Sequence, residues 1–219
     1  MSPESLSVQR GGGSPGTAPD ARGAALECRI RGNPELYVRI PSGGSPWVRG
    51  LGDVGKAKLL AAVLDFRLDA DTHLIVLGSE VARLKPPERV ALRRRTAFLA
   101  AAGGLLSSLN AWENIVLPVG FHEPKRLRGT TASVYGLLRE FHTEPRRLVT
   151  KLPEGMSLFE KKLAGYVRIL LEKPELVLVD DLEGGLDETE RSAAARFAEV
   201  YHAYCPGGTF VRLESARQA

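Results

Sequence analysis

Residues 46–60 of this 219-residue chain read Pro-Trp-Val-Arg-Gly-Leu-Gly-Asp-Val-Gly-Lys-Ala-Lys-Leu-Leu, and the rest of the sequence is arranged around them. A short apolar stretch leads into the spacing Gly50-x-x-x-x-Gly55-Lys56. Apolar residues then recur at helical spacing, at Leu59, Leu60, Val63 and Leu64. The pattern predicts a strand, a glycine-rich loop and a helix that runs from Lys56 to about residue 68.

This frame is typical of a phosphate-binding loop. Glycines let a loop wrap its N–H groups around a phosphate, and the helix N-terminus and Lys56 add positive charge. We therefore predict nucleotide contacts from six residues: Gly50, Gly52, Gly55, Lys56, Ala57 and Lys58. The motif normally has a magnesium-ligating Ser or Thr after the lysine, and this position is Ala57. A glycine-rich turn without a ligand is the alternative for this stretch alone.

Composition is that of a soluble globular protein, with 43% hydrophobic and 26% charged residues and a net charge of +4. Basic clusters at 93–95, 125–128 and 146–147 suit nucleic acid or an anionic membrane surface. We favour solvated faces and no nucleic-acid binding, because no aromatic residues interleave with them. Cys28 and Cys205 have no disulfide or zinc spacing, which suits a reducing cytoplasm. We also expect neither a transmembrane helix nor a signal peptide.

The rest of the chain predicts an α/β fold. Residues 1–24 are rich in Gly, Pro and Ser, so we predict a disordered tail followed by one domain over 25–219. Alternating segments at 25–31 and 35–40 predict an N-terminal antiparallel β portion. Later strand signals alternate with helices, which predicts a mostly parallel sheet with a helical subdomain inserted at about 103–172. Asp187, with Glu190 three residues on, is predicted to cap the last helix.

Two further segments accompany the loop. Residues 103–118 read Gly-Gly-Leu-Leu-Ser-Ser-Leu-Asn-Ala-Trp-Glu-Asn-Ile-Val-Leu-Pro. Residues 168–187 contain a helix end, an apolar strand ending in Asp180-Asp181, and Gly-Gly-Leu-Asp. In order and spacing, residues from about 25 to 215 resemble the ATP-binding cassette (ABC) ATPases. The segment 103–118 is most similar to the Mla-type ATPases of lipid-trafficking transporters.

The resemblance implies a role for each matching position. The family's Walker B aspartate, near the metal, falls at Asp180, and its catalytic glutamate falls at Asp181, one methylene shorter. The Q-loop glutamine falls at or beside Ala101, and the switch histidine falls near Ser215. The magnesium-ligating hydroxyl falls at Ala57, which has no oxygen to offer.

The signature motif is also altered. The family's Leu-Ser-Gly-Gly-Gln aligns with residues 156–160, Met-Ser-Leu-Phe-Glu. Leu158 and Phe159 place bulk where the family's glycines allow the backbone to approach a γ-phosphate, and Glu160 places a negative charge there. Residues 25–36 offer no aromatic side chain to stack on adenine, which leaves Tyr37 as a candidate.

These features together lead us to expect a degenerate ABC subunit, or pseudo-ATPase. It would bind ATP weakly, with Mg²⁺ in doubt, and pair as a homodimer or heterodimer with an active ABC ATPase subunit or dock on an ABC permease. It would lie in the cytoplasm at the inner face of the membrane, with membrane contact only through its partner. One alternative is an active ATPase in which Asp181 serves as base and Asp180 holds the metal. The other is a nucleotide-free interaction scaffold.

Overall fold

The computed structural model describes residues 7–9, 23–32 and 35–214. The chain divides into two compact units. The first, which we call the sheet unit, comprises the described residues within 1–98, 174–181 and 205–214. The second, the helical unit, comprises residues 99–173 and 182–204, and thus contains the segment predicted as helical together with residues after Asp181.

The strands form two sheets. In chain order the strands are β1 (Ser7–Gln9), β2 (Ala24–Ile30), β3 (Leu36–Pro41), β4 (Trp47–Arg49), β5 (Thr72–Val76), β6 (Ser79–Glu80), β7 (Thr96–Leu99), β8 (Leu176–Asp180) and β9 (Thr209–Leu213). A five-stranded sheet has the order β1-β4-β9-β8-β7, with β9 parallel to both β4 and β8. A four-stranded antiparallel sheet has the order β3-β2-β5-β6. The predicted fold class, a mainly parallel sheet with an N-terminal antiparallel portion, is confirmed.

Among the described residues of the segment 1–24, those of β1 depart from the predicted disordered tail, and Ala24 is already the first residue of β2. Ser7–Gln9 pairs antiparallel with β4, in the register Ser7↔Arg49 and Gln9↔Trp47. The prediction does not hold for these three residues, because backbone pairing to a sheet edge needs no apolar side chains. Residues 1–6 and 10–22 lie outside the described residues.

The core of the sheet unit explains the continuous apolar run in β8. Leu176 and Leu178 pack with Val211 and Leu213 of β9 in one cluster with residues of the antiparallel sheet. Residues 176–179 are all buried. A parallel strand covered on both faces has no alternation of polar residues, and only its last residue, Asp180, reaches partial exposure.

Helices occupy most of the helical unit. In chain order, the α-helices are α1 (Asp53–Asp65), α2 (Pro86–Arg94), α3 (Ala111–His122), α4 (Leu127–Glu140), α5 (Pro145–Val149), α6 (Leu158–Glu172), α7 (Glu188–Ala195) and α8 (Phe197–Tyr204), of which α1 and α2 belong to the sheet unit. The capping box of Asp187 and Glu190 is confirmed. The single helix expected after it is two helices, because the N–H of Arg196 turns back to Ala193 O in a tighter 3₁₀-type bond.

Candidate functional site

The glycine loop between β4 and α1 is shorter than its sequence motif implies. Helix α1 begins at Asp53, with Gly52 as its N-cap, so the predicted start at Lys56 is wrong by three residues. The N–H of Lys56 donates to Gly52 O at 2.9 Å, a bond within the first helical turn. That N–H is therefore used inside the helix. The Asp53 carboxylate also occupies the first turn, where it interacts with the positive end of the helix that an anion would use.

Core packing holds the loop in this form. Leu51 is 2% exposed and belongs to the core cluster of the sheet unit. A Cβ on Gly55 would lie 3.5 Å from Leu51 Cδ2, so the loop leucine packs against the first turn of α1. Gly50 adopts φ +79°, which a glycine tolerates without strain. Gly50 therefore serves a tight turn, with Leu51 as its anchor, and Gly55 lies in the first turn of α1.

The structure brings together two of the predicted site residues, Lys56 of α1 and Asp180 at the carboxyl end of β8. Lys56 Nζ donates to Asp180 Oδ1 at 2.9 Å. Their side chains are only 15% and 16% exposed. Ala57 and Lys58 are exposed on α1, as is Gly52 at its start. The lysine predicted to reach a phosphate and the aspartate predicted to serve a metal therefore neutralise one another.

Asp181 follows in an unusual backbone conformation. Its φ is +43°, in the left-handed region, and its N–H donates to Leu213 O at 3.0 Å. Aspartate tolerates this region better than most residues, because its short polar side chain can bond locally. The backbone hydrogen bond to β9 fixes the position of Asp181 directly after β8.

Of the two side chains that the family would offer to a Mg²⁺ at this site, one is absent and the other is engaged. Mg²⁺ requires near-octahedral oxygen ligands. The Ala57 side chain supplies no oxygen, and the Asp180 carboxylate is engaged with Lys56. Within the described residues there is no group of three or more His, Cys, Asp and Glu side chains that could hold a metal ion.

The altered signature segment is built into the helical unit. Ser157 caps α6, and Glu160 completes the capping box. The Glu160 carboxylate also accepts two bonds from Lys151 Nζ, at 2.6 and 2.8 Å. Lys151 therefore neutralises the negative charge that Glu160 brings to this position. Leu158 packs on Gly185, where an added Cβ would lie 2.7 Å from Leu158 Cδ2.

Phe159 occupies the other glycine position. It is 8% exposed, and its ring centroid lies 6.3 Å from that of Phe197 in a tilted arrangement. The bulk at this position thus belongs to an aromatic cluster of the helical unit. Because Phe159 carries a packed side chain, this position does not present the exposed backbone that the family's two glycines would present.

Sequence reasoning missed two buried polar residues of the helical unit whose side chains hold loops. Lys162 is 1% exposed and donates to Leu182 O at 2.9 Å and Gly184 O at 2.8 Å, which holds the loop after Asp181. Asn114 is fully buried, and its side chain bonds both the N–H and the C=O of Leu106. For Lys162 the sequence did carry a signal, which is a lysine within the apolar face of a predicted helix.

Other predicted positions are placed as follows. Ala101 lies in the turn after β7. Tyr37 is 39% exposed, and the guanidinium of Arg29 lies 4.8 Å from its ring centroid. Ser215 lies outside the described residues. Cys28 and Cys205 are buried free thiols, and burial raises the pKa of Cys28 to about 11. No helix in the described part of the chain is long and apolar enough to cross a membrane.

No protein-family model matches the chain. Three curated proteins are similar over most of it. The methionine import ATP-binding protein MetN 2 of Burkholderia mallei is 31% identical over 170 residues, which cover 76% of this chain and 41% of that protein. MetN 1 of Acinetobacter baylyi is 23% identical over 160 residues, covering 72% and 44%. The probable ribonucleotide transport ATP-binding protein mkl of Mycobacterium bovis is 24% identical over 159 residues, covering 70% and 42%. The chain spans less than half the length of these relatives.

Solved structures agree on the fold. CbiO1 of Clostridium perfringens, part of the ABC transporter complex CbiONQ, matches with a TM-score of 0.69 at 15% identity, covering 89% of this chain and 79% of that one. The ATP-binding cassette MJ0796, in a dimeric structure with ADP and Pi, matches with a TM-score of 0.63 at 18% identity, covering 87% of each chain. The chain has the ABC ATPase fold, and the resemblance to ABC ATP-binding subunits is confirmed.

Proposed function

From this fold and sequence similarity, we propose that the chain is an ABC-type subunit of a membrane transporter that binds nucleotide weakly and does not hydrolyse it. Its role is structural or regulatory. The observation that carries the proposal is the ion pair between Lys56 Nζ and Asp180 Oδ1 at 2.9 Å. In ATP hydrolysis the lysine binds phosphate and the aspartate serves the metal. In this chain the two side chains are bonded to each other instead.

The ion pair works against nucleotide binding. A phosphate oxygen that takes the place of Asp180 must replace a charge-assisted hydrogen bond, which contributes ~1.5–3 kcal/mol. It must do so beside the Asp180 carboxylate, which repels it. Binding is therefore weak, and magnesium gives little help because Ala57 offers no hydroxyl ligand.

Catalysis is further impaired at the position of the catalytic glutamate. Asp181 retains a carboxylate, but its side chain is one methylene shorter. A misplacement of that order costs ~100-fold in rate. The bulk of Leu158 and Phe159 adds a second obstacle, because both side chains pack where the family's glycines leave backbone accessible to a partner's nucleotide.

The expected partners follow from the relatives. CbiO1 is described as part of a transporter complex, and MJ0796 as a dimer. By analogy, this chain pairs with an active ABC ATPase subunit or with a second copy, and docks on an ABC permease at the cytoplasmic face of the membrane. Lipid trafficking remains a prediction from residues 103–118, since the curated relatives are named for methionine import and ribonucleotide transport.

ATP turnover by the purified chain tests the proposal. With ATP and Mg²⁺, phosphate release by the wild type should match that of the Lys56→Ala control. The variant Ala57→Thr/Asp181→Glu restores the family's metal-ligating hydroxyl and its catalytic carboxylate, and its turnover should stay at the level of Lys56→Ala, because the Lys56–Asp180 pair and the bulk of Leu158 and Phe159 remain. Magnesium-dependent turnover by the wild type that Lys56→Ala abolishes would overturn the proposal and favour an active ATPase.

A further inference from the structure

A corner of the helical unit, where α3 passes into α4, combines exposed apolar and basic side chains. Leu117 and Phe121 lie one turn apart on α3 and are 41% and 81% exposed. Directly after α3, Pro124, Lys125 and Arg128 line an open concavity. We call the set Leu117, Phe121, Lys125 and Arg128 the Phe121 surface. Phe121 lies outside the buried face of α3, which is formed by other residues, and its ring meets that of the neighbouring His122 edge-on at 5.0 Å.

The backbone beneath this surface is held in place. Arg126 Nη2 donates to Leu171 O at 3.0 Å, and Arg126 Nη1 pairs with Glu123 at 3.2 Å. The N–H of Glu123 closes the end of α3 on Val119 O at 2.8 Å. One basic residue of the 125–128 cluster is thus used to fix the turn. A fixed turn presents its outward side chains without a large ordering cost on binding.

The remaining two cations face solvent. Lys125 and Arg128 are exposed, and neither forms an ion pair with any residue that the structure describes. The one acidic residue within the turn, Glu123, is paired with Arg126. The surface therefore carries uncompensated positive charge beside an apolar ring and a leucine.

We propose that the Phe121 surface binds the surface of an anionic phospholipid bilayer. Phe121 inserts at headgroup depth, and Lys125 and Arg128 bind the phosphate-bearing headgroups. An apolar wedge next to cations fits the boundary between headgroups and acyl chains. A nucleic acid fits less well, because a single ring offers no platform for successive bases. The inference adds direct lipid contact to the membrane attachment through a partner, and it does not depend on nucleotide binding.

Sedimentation of the full chain with lipid vesicles tests the inference, without nucleotide or other proteins. The vesicles contain phosphatidylcholine alone or with an equal amount of phosphatidylglycerol, at low salt. Two cations and one inserted ring are expected to give half-saturation on the order of 1 mM lipid with the anionic vesicles, and little binding to the neutral ones. Salt at ~0.5 M should release the protein, because it screens charges beyond a few ångströms.

Variants assign the binding to this surface. Lys125→Gln/Arg128→Gln should weaken binding about 30-fold, and Phe121→Ala about tenfold. The matched control Arg146→Gln/Arg147→Gln removes two exposed arginines of α5 in the same unit and should change binding less than about threefold. All of these side chains are exposed, so the variants should unfold at the wild-type temperature.

Three results would overturn the inference. The first is no sedimentation with anionic vesicles at several millimolar lipid. The second is an equal loss of binding in the α5 control, which would assign the effect to net charge alone. The third is that the chain binds a fluorescent single-stranded oligonucleotide but does not bind the vesicles. That result would identify the Phe121 surface as a nucleic-acid surface.

Discussion

Replacing Asp180 by asparagine separates the two roles that this residue can have. In an active ABC ATPase a carboxylate at this position serves the metal, so its loss weakens binding of magnesium–ATP. In this chain the carboxylate holds Lys56 Nζ at 2.9 Å. Asp180→Asn keeps the shape of the side chain and removes its charge, so a phosphate no longer competes with a carboxylate for Lys56. We expect the variant to bind ATP more tightly than the wild type does when magnesium is chelated.

The structure sets the size of the effect. The two side chains are 15% and 16% exposed, so the pair is mostly but not fully removed from water. Breaking a fully buried pair costs ~3–5 kcal/mol, and we expect a loss of ~2 kcal/mol in the free energy of unfolding for this partly hydrated pair. In the variant, nucleotide binding no longer has to break this pair. The free energy of ATP binding therefore gains the same ~2 kcal/mol, which is an affinity gain of about 30-fold.

Titration calorimetry with ATP and a chelator measures the affinity, and urea unfolding measures the stability. Asp65→Asn is the matched control, because it removes an exposed carboxylate from the far end of α1 and changes the net charge equally. The control should leave ATP affinity within about threefold of the wild type. An Asp180→Asn variant with unchanged or weaker affinity in the chelator would refute the reasoning, since Lys56 would then not be restrained by Asp180.

Three further predictions concern buried groups. Lys162→Met should lower the free energy of unfolding by ~3 kcal/mol in urea titrations, because the buried carbonyl of Leu182 and the partly buried carbonyl of Gly184 lose their donor. A loss below ~1 kcal/mol would contradict this. Gly103→Ala should destabilise by at least ~3 kcal/mol, since its Cβ would lie 2.3 Å from Lys161 O, and wild-type thermal stability would argue against that contact. Burial raises the pKa of Cys28 from 9.0 to about 11, so its thiol stays protonated in the fold while the unfolded chain ionises. Stability should therefore fall by ~2 kcal/mol between pH 8 and about 10.5. The Cys28→Ala variant should not lose stability over this pH range. If urea unfolding gives the same pH dependence for the variant and the wild type, the prediction is wrong.

Much of the fold could be predicted from apolar runs and helix-capping residues in the sequence. The apolar run before Asp180 identifies a strand buried on both faces, and Asp187 with Glu190 identifies a helix start. Strand β1 could not be predicted, because Ser7–Gln9 is held by backbone pairing to β4 and carries no apolar pattern. The break at Arg196 also has no sequence signal, since neither glycine nor proline interrupts the helix there.

The candidate site was predictable in its residues but not in its arrangement. The motifs identify Lys56 and Asp180 separately, yet their pairing joins positions 124 residues apart. The early start of α1 depends on the burial of Leu51 in the core, which offsets the ~1 kcal/mol cost of a helical glycine at Gly55. Glu160 is neutralised by Lys151, and no local pattern foretells that contact.

The most direct test of the central claim is thermal unfolding of the purified chain with ATP, measured with and without magnesium. A ligand at 100 times its dissociation constant stabilises the folded state by ~2.7 kcal/mol. The account predicts that saturating ATP raises the unfolding temperature equally with Mg²⁺ and with a chelator, because Ala57 offers no hydroxyl ligand and Asp180 is engaged with Lys56. A shift that requires Mg²⁺ and disappears with the chelator would contradict it.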